Sequence, residues 1–298
     1  MSVATWVAVD WGTTHVRGYA MQGAQVLDKC VSDQGMARLS PADFEQALEA
    51  LIAPWALATD TPVVACGMVG ARQGWIEAPY RTVPCAPFGA AATRAPTRSG
   101  RAVHIISGLA QQAPADVMRG EETQIAGFLA LNPGWDGVIC LPGTHTKWAE
   151  ISAGEVVSFQ TYMTGEMFAL LAEQSVLRHS IDANGWDADA FDRAVTDAMA
   201  KPERLAARLF GLRAANLLHG VDAGVTRAQL SGYLIGAEMA AARPYWLGRQ
   251  IALLGGAAQT RAYAAALQAQ GVPATIAEAD RMTLAGLTAA WRSLKDIP

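Results

Sequence analysis

Cysteine and histidine are scarce in this 298-residue sequence, and neither forms a recognisable ligand pattern. No Cys-x-x-Cys pair occurs, and the five histidines do not have the spacing of zinc ligands. Isolated cysteines commonly behave as small buried hydrophobes. We therefore predict neither a structural metal nor a disulfide, and we expect free thiols at Cys30, Cys66, Cys85 and Cys140.

The sequence also lacks a long apolar run and an excess of positive charge. No stretch approaches the roughly 18 uninterrupted apolar residues of a membrane span, and no basic segment with a signal-type apolar core opens the sequence. The formal net charge is −4, so the basic surface that neutralises a nucleic-acid backbone is missing from the composition. These absences predict a cytoplasmic protein that binds neither a membrane nor nucleic acid.

Hydrophobic residues, in contrast, are plentiful. They make up 51% of the chain, and charged residues make up 17%. This balance is typical of a protein with a sizeable buried interior, and 298 residues suit two domains of ordinary size.

A strand, a tight turn and a second strand are predicted over Val7–Met21. The apolar run reaches Asp10, turns through Gly12, Thr13 and Thr14, and leaves as an alternating segment. Backbone N–H groups of such a turn can hold an anion, and a carboxylate at the strand's end can hold a metal ion that neutralises it. The alternative is an ordinary β-hairpin in which the glycine only provides a permissive backbone.

The same pattern recurs in the second half of the chain. Val138–Leu141 is a predicted strand that runs into Pro142-Gly143-Thr144-His145-Thr146, and Lys147–Ile151 leads out of the turn. Two strand-turn-strand units, each followed by helices, predict a duplicated α/β domain pair with one phosphate-binding turn in each half.

Capping residues and apolar periodicity predict the remaining elements. Gly67–Pro96, rich in glycine, proline and arginine, is predicted to be a long functional loop region with short strands. The predicted helices cover Ser40–Trp55, Glu121–Leu131, Glu166–Leu177, Asp189–Ala200, Pro202–Leu218, Arg227–Ala242, Thr260–Gln270 and Ala279–Ser293.

The polar residues of both turns suit phosphoryl transfer, which requires positioning, a metal ion and neutralisation of negative charge. The hydroxyls of Thr13, Thr14, Thr144 and Thr146 are expected to contact phosphate oxygens. Arg17 and Lys147 supply fixed positive charge near the two turns. We expect Asp10 to orient Mg²⁺ through water, because Mg²⁺ keeps several waters where few carboxylates are available.

Three segments together carry a resemblance to a known fold. Asp10–Gly18 resembles the first phosphate motif of the actin-like ATPase fold in its carbohydrate-kinase version, Leu141–Trp148 resembles the second, and Ile251–Ala258 resembles the adenosine motif. With the segments Gly67–Trp75 and Met118–Gly127, the chain is similar to the 2-dehydro-3-deoxygalactonokinase family.

The resemblance implies a two-lobed α/β fold of duplicated mixed-sheet domains, with ATP and Mg²⁺ in a cleft. We place the N-terminal lobe at residues 1–132 and the C-terminal lobe at residues 133–298. Gly255 and Gly256 stand where a strand meets a helix, so adenine and ribose could lie against bare backbone; a tight turn alone is the alternative.

The resemblance further implies transfer of the γ-phosphoryl group of ATP to the 6-hydroxyl of a 2-keto-3-deoxy sugar acid, in galactonate catabolism. Related carbohydrate kinases use the aspartate of a Gly-Asp-Gln motif as the base, and this chain has Gly120-Glu121-Glu122 at the corresponding place. Glu121 is therefore the first candidate for the base and Glu122 the second. Either glutamate could also serve only as a carboxylate at a helix N-terminus.

A sugar-acid carboxylate calls for an arginine fork in the pocket. Arg72 and Arg119 are the candidates, with surface salt bridges as the alternative, and Trp75 is available to cover the sugar's apolar face. His145 is a further candidate contact to a substrate oxygen, and we expect Glu166 to cap a helix.

Several alternatives stay open from the sequence. Another sugar or sugar-acid kinase of the same fold, for example one acting on 2-keto-3-deoxygluconate or a hexose, fits the same motifs. A non-catalytic nucleotide switch is a second alternative, although no extra partner-binding domain follows the motifs. The sequence fixes neither the stereochemistry of the acceptor nor the choice between a monomer and a homodimer.

Overall fold

A computed structural model of the chain describes residues 4–89, 92–182 and 184–295. The chain divides into two compact units. The first contains the residues up to Asp136, Ile151–Ser158 and the residues from Ala279 onward, and the second contains Gly137–Glu150 and Phe159–Glu278. The lobe boundary between residues 132 and 133 stays a prediction. Among the described helices, none combines the length and the apolar character needed to cross a bilayer.

The first part of the chain forms a six-stranded sheet and a three-stranded sheet. The six-stranded sheet has the order β3-β2-β1-β4-β7-β6, and the smaller sheet has the order β5-β8-β9. The strands are β1 Trp6–Trp11, β2 Val16–Gln22, β3 Gln25–Ser32, β4 Val63–Gly67, β5 Arg81–Thr82, β6 Thr93–Arg94, β7 Val103–Ile105, β8 Leu109–Gln112 and β9 Ala115–Met118.

The central strand β1 is covered on both faces because its side chains alternate between two cores. Val7, Val9 and Trp11 belong to a cluster that includes Phe44, from helix α1 (Phe44–Ile52). Trp6 and Ala8 belong to the opposite cluster, in which the ring of Trp6 stacks on that of Trp291 with centroids 5.0 Å apart. The Asp10 carboxylate is thereby carried to the end of a firmly buried strand.

Two glycines fix helix α2 (Glu121–Leu131), which carries the candidate base at its first residue. It packs against the C-terminal helix of residues Ala279–Lys295. A Cβ atom at Gly127 would lie 1.9 Å from the Met282 carbonyl oxygen, and one at Gly286 would lie 2.0 Å from that of Thr123. The absent side chains let the two backbones approach, so the end of the chain helps to position α2.

The five-stranded sheet repeats the strand order of the first. Its order is β12-β11-β10-β13-β14, and β10, β13 and β14 are parallel neighbours, as β1, β4 and β7 are in the first sheet. The predicted internal duplication is therefore visible in the sheet topology. These strands are β10 Gly137–Leu141, β11 Thr146–Ser152, β12 Glu155–Tyr162, β13 Ile251–Gly255 and β14 Ala274–Glu278.

Helices make up most of the second unit beyond its sheet. They are α3 Thr164–Gln174, α4 Ala188–Ala200, α5 Leu205–His219, α6 Ala223–Ala241, α7 Arg243–Trp246 and α8 Ala257–Gln268; α9 is the C-terminal helix Ala279–Lys295. Glycines again permit close packing, because a Cβ atom at Gly232 or Gly236 of α6 would lie 2.6 Å from a backbone oxygen of α4. The position of α6 is thus fixed from one side by α4.

Several element predictions differ from the structure. The helices predicted from Pro202, Arg227 and Thr260 begin at Leu205, Ala223 and Ala257. The helix predicted from Ser40 begins at Phe44, because the Asp43 carboxylate accepts hydrogen bonds from the backbone N–H and the hydroxyl of Ser40 and closes a turn there. Helix α3 ends at Gln174, before the predicted Leu177. The hairpin of β8 and β9 was not predicted, because polar residues such as Gln111 and Asp116 interrupt its short apolar pattern.

Candidate functional site

The first glycine-threonine turn is held from behind by main-chain hydrogen bonds. The carbonyls of Gly12, Thr13 and Thr14 accept from the amides of residues 35–37 over 3.0 to 3.2 Å. Gly35 permits this contact, since a Cβ atom there would lie 2.2 Å from the Thr14 carbonyl carbon. Both threonines are exposed, and within the described chain their own amides make no hydrogen bond. These amides are therefore available to an anion, as predicted for this turn.

Asp10 stands beside this turn in a partly buried ion pair. Its Oδ2 lies 3.2 Å from Nη1 of Arg17. Burial raises the pKa of the Asp10 carboxyl, and the Arg17 guanidinium opposes that rise. The described residues contain no cluster of three or more His, Cys, Asp or Glu side chains that could hold a metal ion. Asp10 therefore offers a single carboxylate, which suits a largely hydrated Mg²⁺.

The loop after β4 brings Asp10 close to the start of α2. Gly67 has a φ of +87°, and a Cβ atom there would lie 3.7 Å from Asp10 Oδ1. Gly120 has a φ of +102°, and a Cβ atom there would lie 3.5 Å from the Cα of Gly67. The sequence segments Gly67–Trp75 and Met118–Gly127, which carried the family resemblance, therefore meet in the first unit.

The two glutamates at the start of α2 have different environments. Glu121 is half-buried and its Oε2 accepts from the Arg119 amide over 3.1 Å. Glu122 is fully buried, accepts from the Gly120 amide over 2.6 Å and from the Thr123 hydroxyl over 2.9 Å. Burial, with a smaller contribution from the neighbouring Glu121 charge, raises the pKa of Glu122 to about 7. Both carboxylates bind backbone amides before the helix, and Glu121 retains the access to solvent that a base needs.

The two candidate arginines also differ. Arg72 is 81% exposed in its side chain, and its Nε lies 3.6 Å from Glu77 Oε1, a surface ion pair. Arg119 donates from Nη2 to the Ala78 carbonyl over 2.7 Å, and its guanidinium carbon lies 4.3 Å from the centroid of the Tyr80 ring. Its Nε and Nη1 are buried and make no hydrogen bond within the described residues. A buried cation with two unsatisfied donors is costly unless a ligand satisfies them.

Trp75 does not lie on a binding surface. It is 7% exposed, belongs to the same core cluster as Trp11, and stacks on Phe44 with ring centroids 6.2 Å apart. Its predicted contact with the sugar is corrected on this ground: the indole fills the hydrophobic core beneath the Gly67–Trp75 segment. The sequence could not predict the direction of the Trp75 ring, because the segment has no regular apolar period.

The second turn is held against the start of α3. A Cβ atom at Gly165 would lie 2.2 Å from the Gly143 carbonyl oxygen, and the Glu166 amide donates to the Thr144 carbonyl over 2.9 Å. His145 Nε2 lies 2.6 Å from Glu166 Oε2. We predicted Glu166 as a cap; its carboxylate is in the first turn of α3 but pairs with the histidine. Thr144 is exposed and faces away from this packing.

The other two predicted phosphate residues of this turn are buried. Thr146 is 1% exposed and its hydroxyl lies 3.0 Å from the Tyr263 hydroxyl. The expectation that Thr146 contacts phosphate oxygens through its hydroxyl is therefore corrected, because that group bonds inward. Lys147 is 5% exposed, and its ammonium donates to the His145 carbonyl over 3.1 Å. The positive charge of Lys147 therefore lies beneath the turn, buried in the protein and not on its surface.

A cavity of about 300 Å³ opens beside the second turn, within the second unit. Gly143 and Thr144 form one wall, and side chains of α3, α6 and α8 form the others. Gly255 stands close by, since a Cβ atom there would lie 3.1 Å from the Pro142 carbonyl oxygen. Gly256 immediately precedes α8 as its N-cap residue, with a φ of −69°.

Several lining residues escaped the sequence analysis. Trp186 is 50% exposed at the cavity, and Arg227 lies over the Phe168 ring at 5.0 Å. Gln259 lies in the first turn of α8, shortly after the two glycines. This position next to the glycines is the one sequence signal that could have identified it. The volume and the mixture of apolar walls with a few polar groups are typical of a small-molecule site.

Comparisons with known proteins agree over nearly the whole chain. The sequence profile of the 2-keto-3-deoxy-galactonokinase family matches residues 10–290. A Rhizobium meliloti protein assigned as a 2-dehydro-3-deoxygalactonokinase is 37% identical over 298 residues, covering 97% of each chain. The Escherichia coli 2-dehydro-3-deoxygalactonokinase is 35% identical over 287 residues, covering 95% of this chain and 96% of that protein.

Solved structures show the same likeness. A Sinorhizobium meliloti structure assigned as a 2-dehydro-3-deoxygalactonokinase has a TM-score of 0.92 at 37% identity, covering 98% of this chain and 100% of the other. The activator of 2-hydroxyisocaproyl-CoA dehydratase from Clostridium difficile has a TM-score of 0.54 at 10% identity, over 98% and 96% of the two chains, and shows the fold alone. The predicted α/β class of the actin-like ATPase kind is confirmed.

Proposed function

The chain belongs to the 2-keto-3-deoxy-galactonokinase family, and from this premise we propose that it transfers the γ-phosphoryl group of ATP to the 6-hydroxyl of 2-dehydro-3-deoxygalactonate. The products are ADP and the 6-phosphorylated sugar acid of galactonate catabolism. Family membership makes the chain a nucleotide-using kinase; the acceptor, the metal ion and the residue roles are the content of the proposal.

The observation that carries the acceptor assignment is the state of Arg119. Its Nε and Nη1 are buried without a hydrogen-bond partner in the described chain, beside the amide that Glu121 accepts from. Guanidinium donors that are buried without a partner favour a ligand that brings negatively charged oxygens, such as a carboxylate. A sugar acid has that carboxylate and a neutral hexose does not, so Arg119 favours a sugar acid.

Glu121 is the proposed general base. Its carboxylate is partly exposed at the start of α2, whereas Glu122 is fully buried. In the proposed reaction Glu121 takes the proton of the acceptor hydroxyl as that oxygen attacks the γ-phosphorus. The positive end of the helix dipole at the N-terminus of α2 stabilises the ionised form of Glu121, which is the form that accepts the proton.

Asp10 is the proposed Mg²⁺ contact, held through water as its single carboxylate suggests. The ion supplies neutralisation of phosphate charge when bound. The amides of Thr13, Thr14, Gly143 and Thr144 bind phosphate oxygens, and the cavity beside Gly255 and Gly256 takes the nucleoside. A small-molecule acceptor, a cytoplasmic location and either a monomer or a homodimer are part of the same proposal.

The direct test measures ADP release with different acceptors. 2-Dehydro-3-deoxygalactonate should give the highest kcat/KM, 2-dehydro-3-deoxygluconate a lower one, and glucose almost none. A preference for glucose would replace the acceptor with a hexose. ATP consumption that is unchanged when the acceptor is left out would support the nucleotide switch.

The carboxylate anchor is tested by a matched pair of variants. Arg119→Lys keeps the charge but loses the Nε and Nη1 donors of the guanidinium, so KM for the sugar acid should rise by about 10-fold or more. Arg72→Lys should leave this KM unchanged, because Arg72 is an exposed ion-pair partner. A rise confined to Arg72→Lys would move the anchor to Arg72, and no change in either variant would remove the argument for a sugar acid.

A further inference from the structure

A buried carboxylate lies at the centre of the second unit and has no role in the reaction described so far. Glu238, on α6, is 4% exposed. Its Oε1 accepts from the indole N–H of Trp148 over 2.7 Å, and its Oε2 accepts from the Tyr263 hydroxyl over 2.7 Å. The Thr164 hydroxyl donates to the same Oε2. Three side-chain donors from three other elements therefore converge on one carboxylate.

The direction of these hydrogen bonds determines how the second turn is held. The Tyr263 hydroxyl has a single hydrogen, and it donates this hydrogen to Oε2 of Glu238. The Tyr263 oxygen is then the acceptor for the Thr146 hydroxyl, 3.0 Å away. The end of the second turn is thereby tied to α6 through one tyrosine. This series of hydrogen bonds explains why the Thr146 hydroxyl points into the protein interior.

The same carboxylate fixes two walls of the cavity. Thr164 and Tyr263 both line it. Thr164 also begins α3, whose next residue, Gly165, packs against the Gly143 carbonyl of the second turn. A change at Glu238 would therefore act on the turn from two sides, through Tyr263 and Thr146 and through the start of α3.

We propose that Glu238 is a positioning residue for nucleotide binding, which sets the second turn and the cavity walls through Thr164, Tyr263 and Thr146. It does not line the cavity, so it acts through the residues that do. The inference rests on the proposed function in one respect: it takes the cavity as the nucleoside site. A buried hydrogen-bonding group that loses its partner is costly, so the effect should be measurable.

The experiment compares two tyrosine variants and one glutamate variant. Glu238→Gln should raise the Kd for ADP with Mg²⁺ and the KM for ATP by about 10-fold, while KM for the sugar acid and kcat stay within about 2-fold. Tyr263→Phe removes the link to Thr146 and should raise the same two constants by about 3-fold or more. Tyr162→Phe is the matched control, because its buried hydroxyl makes no hydrogen bond in the described structure.

Thermal unfolding of each variant separates positioning from stability alone. A lower Tm in Glu238→Gln and Tyr263→Phe with unchanged Kd for ADP and KM for ATP would overturn the proposal, and Tyr263→Phe decides the matter if Glu238→Gln does not fold. The double variant should lose less affinity than the sum of the single losses, since both act in one chain of bonds. If the wild-type protein bound ADP but did not phosphorylate the sugar acid, the proposed acceptor would be wrong. The proposal for Glu238 would be unaffected, because it concerns nucleotide binding.

Discussion

The two glycine-threonine turns have similar sequences and lie at corresponding places in the two sheets, yet the structure holds them in different ways. Main-chain amides of residues 35–37 hold the first turn at Gly12–Thr14. The second turn is also held by a main-chain bond, from the Glu166 amide to the Thr144 carbonyl, and by close contact with Gly165. Only the second turn adds side chains to this support, through the hydrogen bonds from Thr146 to Tyr263 and from Tyr263 to Glu238.

The surroundings of the two turns also differ. In the first unit, the Gly67 loop brings Asp10 close to the start of α2, and Arg119 has two buried donors without a partner among the described residues. A cavity with mixed walls lies in the second unit, and its buried carboxylate is fully bonded. In the proposed function, the first copy of the duplicated architecture carries out the chemistry and the second binds the nucleoside.

The largest effect should come from removing the base in the first unit. Glu121→Gln keeps the shape of the side chain but cannot accept a proton, so kcat should fall by about 10²- to 10⁴-fold. The Kd for ADP should stay unchanged, because the cavity lies in the second unit. Single-turnover assays and calorimetry with ADP measure the two quantities.

Glu122→Gln is the matched control for that variant. It removes the neighbouring carboxylate, which is fully buried, and should lower kcat much less. If the two results were exchanged, with near-normal turnover in Glu121→Gln, the base would be Glu122 and the access of Glu121 to solvent would be irrelevant.

A smaller effect concerns the dependence of stability on pH, which both units should share. Burial raises the pKa of Glu122 and of Glu238 to about 7, above the ordinary value near 4.5. Between these pH values the native state binds protons that the unfolded state does not, so stability falls as pH rises from about 4.5 to about 7. The loss is on the order of 3 kcal/mol for each group.

Urea unfolding at several values between pH 5 and pH 8 measures this dependence. Glu122→Gln and Glu238→Gln should each flatten the fall in unfolding free energy with rising pH, by up to about 1.4 kcal/mol per pH unit. The groups near Glu238 that also titrate, Tyr162, Tyr263 and Cys140, ionise at higher pH and do not interfere. Unaltered slopes in both variants would mean that both carboxylates are ionised throughout.

The smallest predicted effect tests the backbone contact of the first turn. In Gly35→Ala the new Cβ atom meets the Thr14 backbone at 2.2 Å, so the unfolding free energy should fall by about 1 to 3 kcal/mol. Gly211→Ala, in α5 with open space around it, should instead be neutral or stabilising by up to about 1 kcal/mol. Equal stability of the two variants would show that residues 35–37 do not hold the turn tightly.

Local patterns predicted much of the fold. Helix α2 begins and ends at the predicted residues, and both strand-turn-strand units were found, because capping residues and apolar alternation act over a few positions. The hairpin of β8 and β9 escaped notice because its strands are short and polar residues such as Gln111 and Asp116 interrupt the apolar pattern. Asp10 and the Glu121–Glu122 pair, which the motifs selected, lie close together in space through Gly67 and Gly120.

The sequence by itself determined the family, the duplicated strand order and the two turns, since these depend on residue types at fixed spacing along the chain. Only the tertiary structure decided which of these side chains are buried and which groups they contact. Trp75 and Thr146 turned inward and Arg119 kept unsatisfied donors, because burial depends on what other elements pack against each residue. Glu238 gave no signal at all, since its three donors come from distant parts of the chain that meet only when the second unit folds.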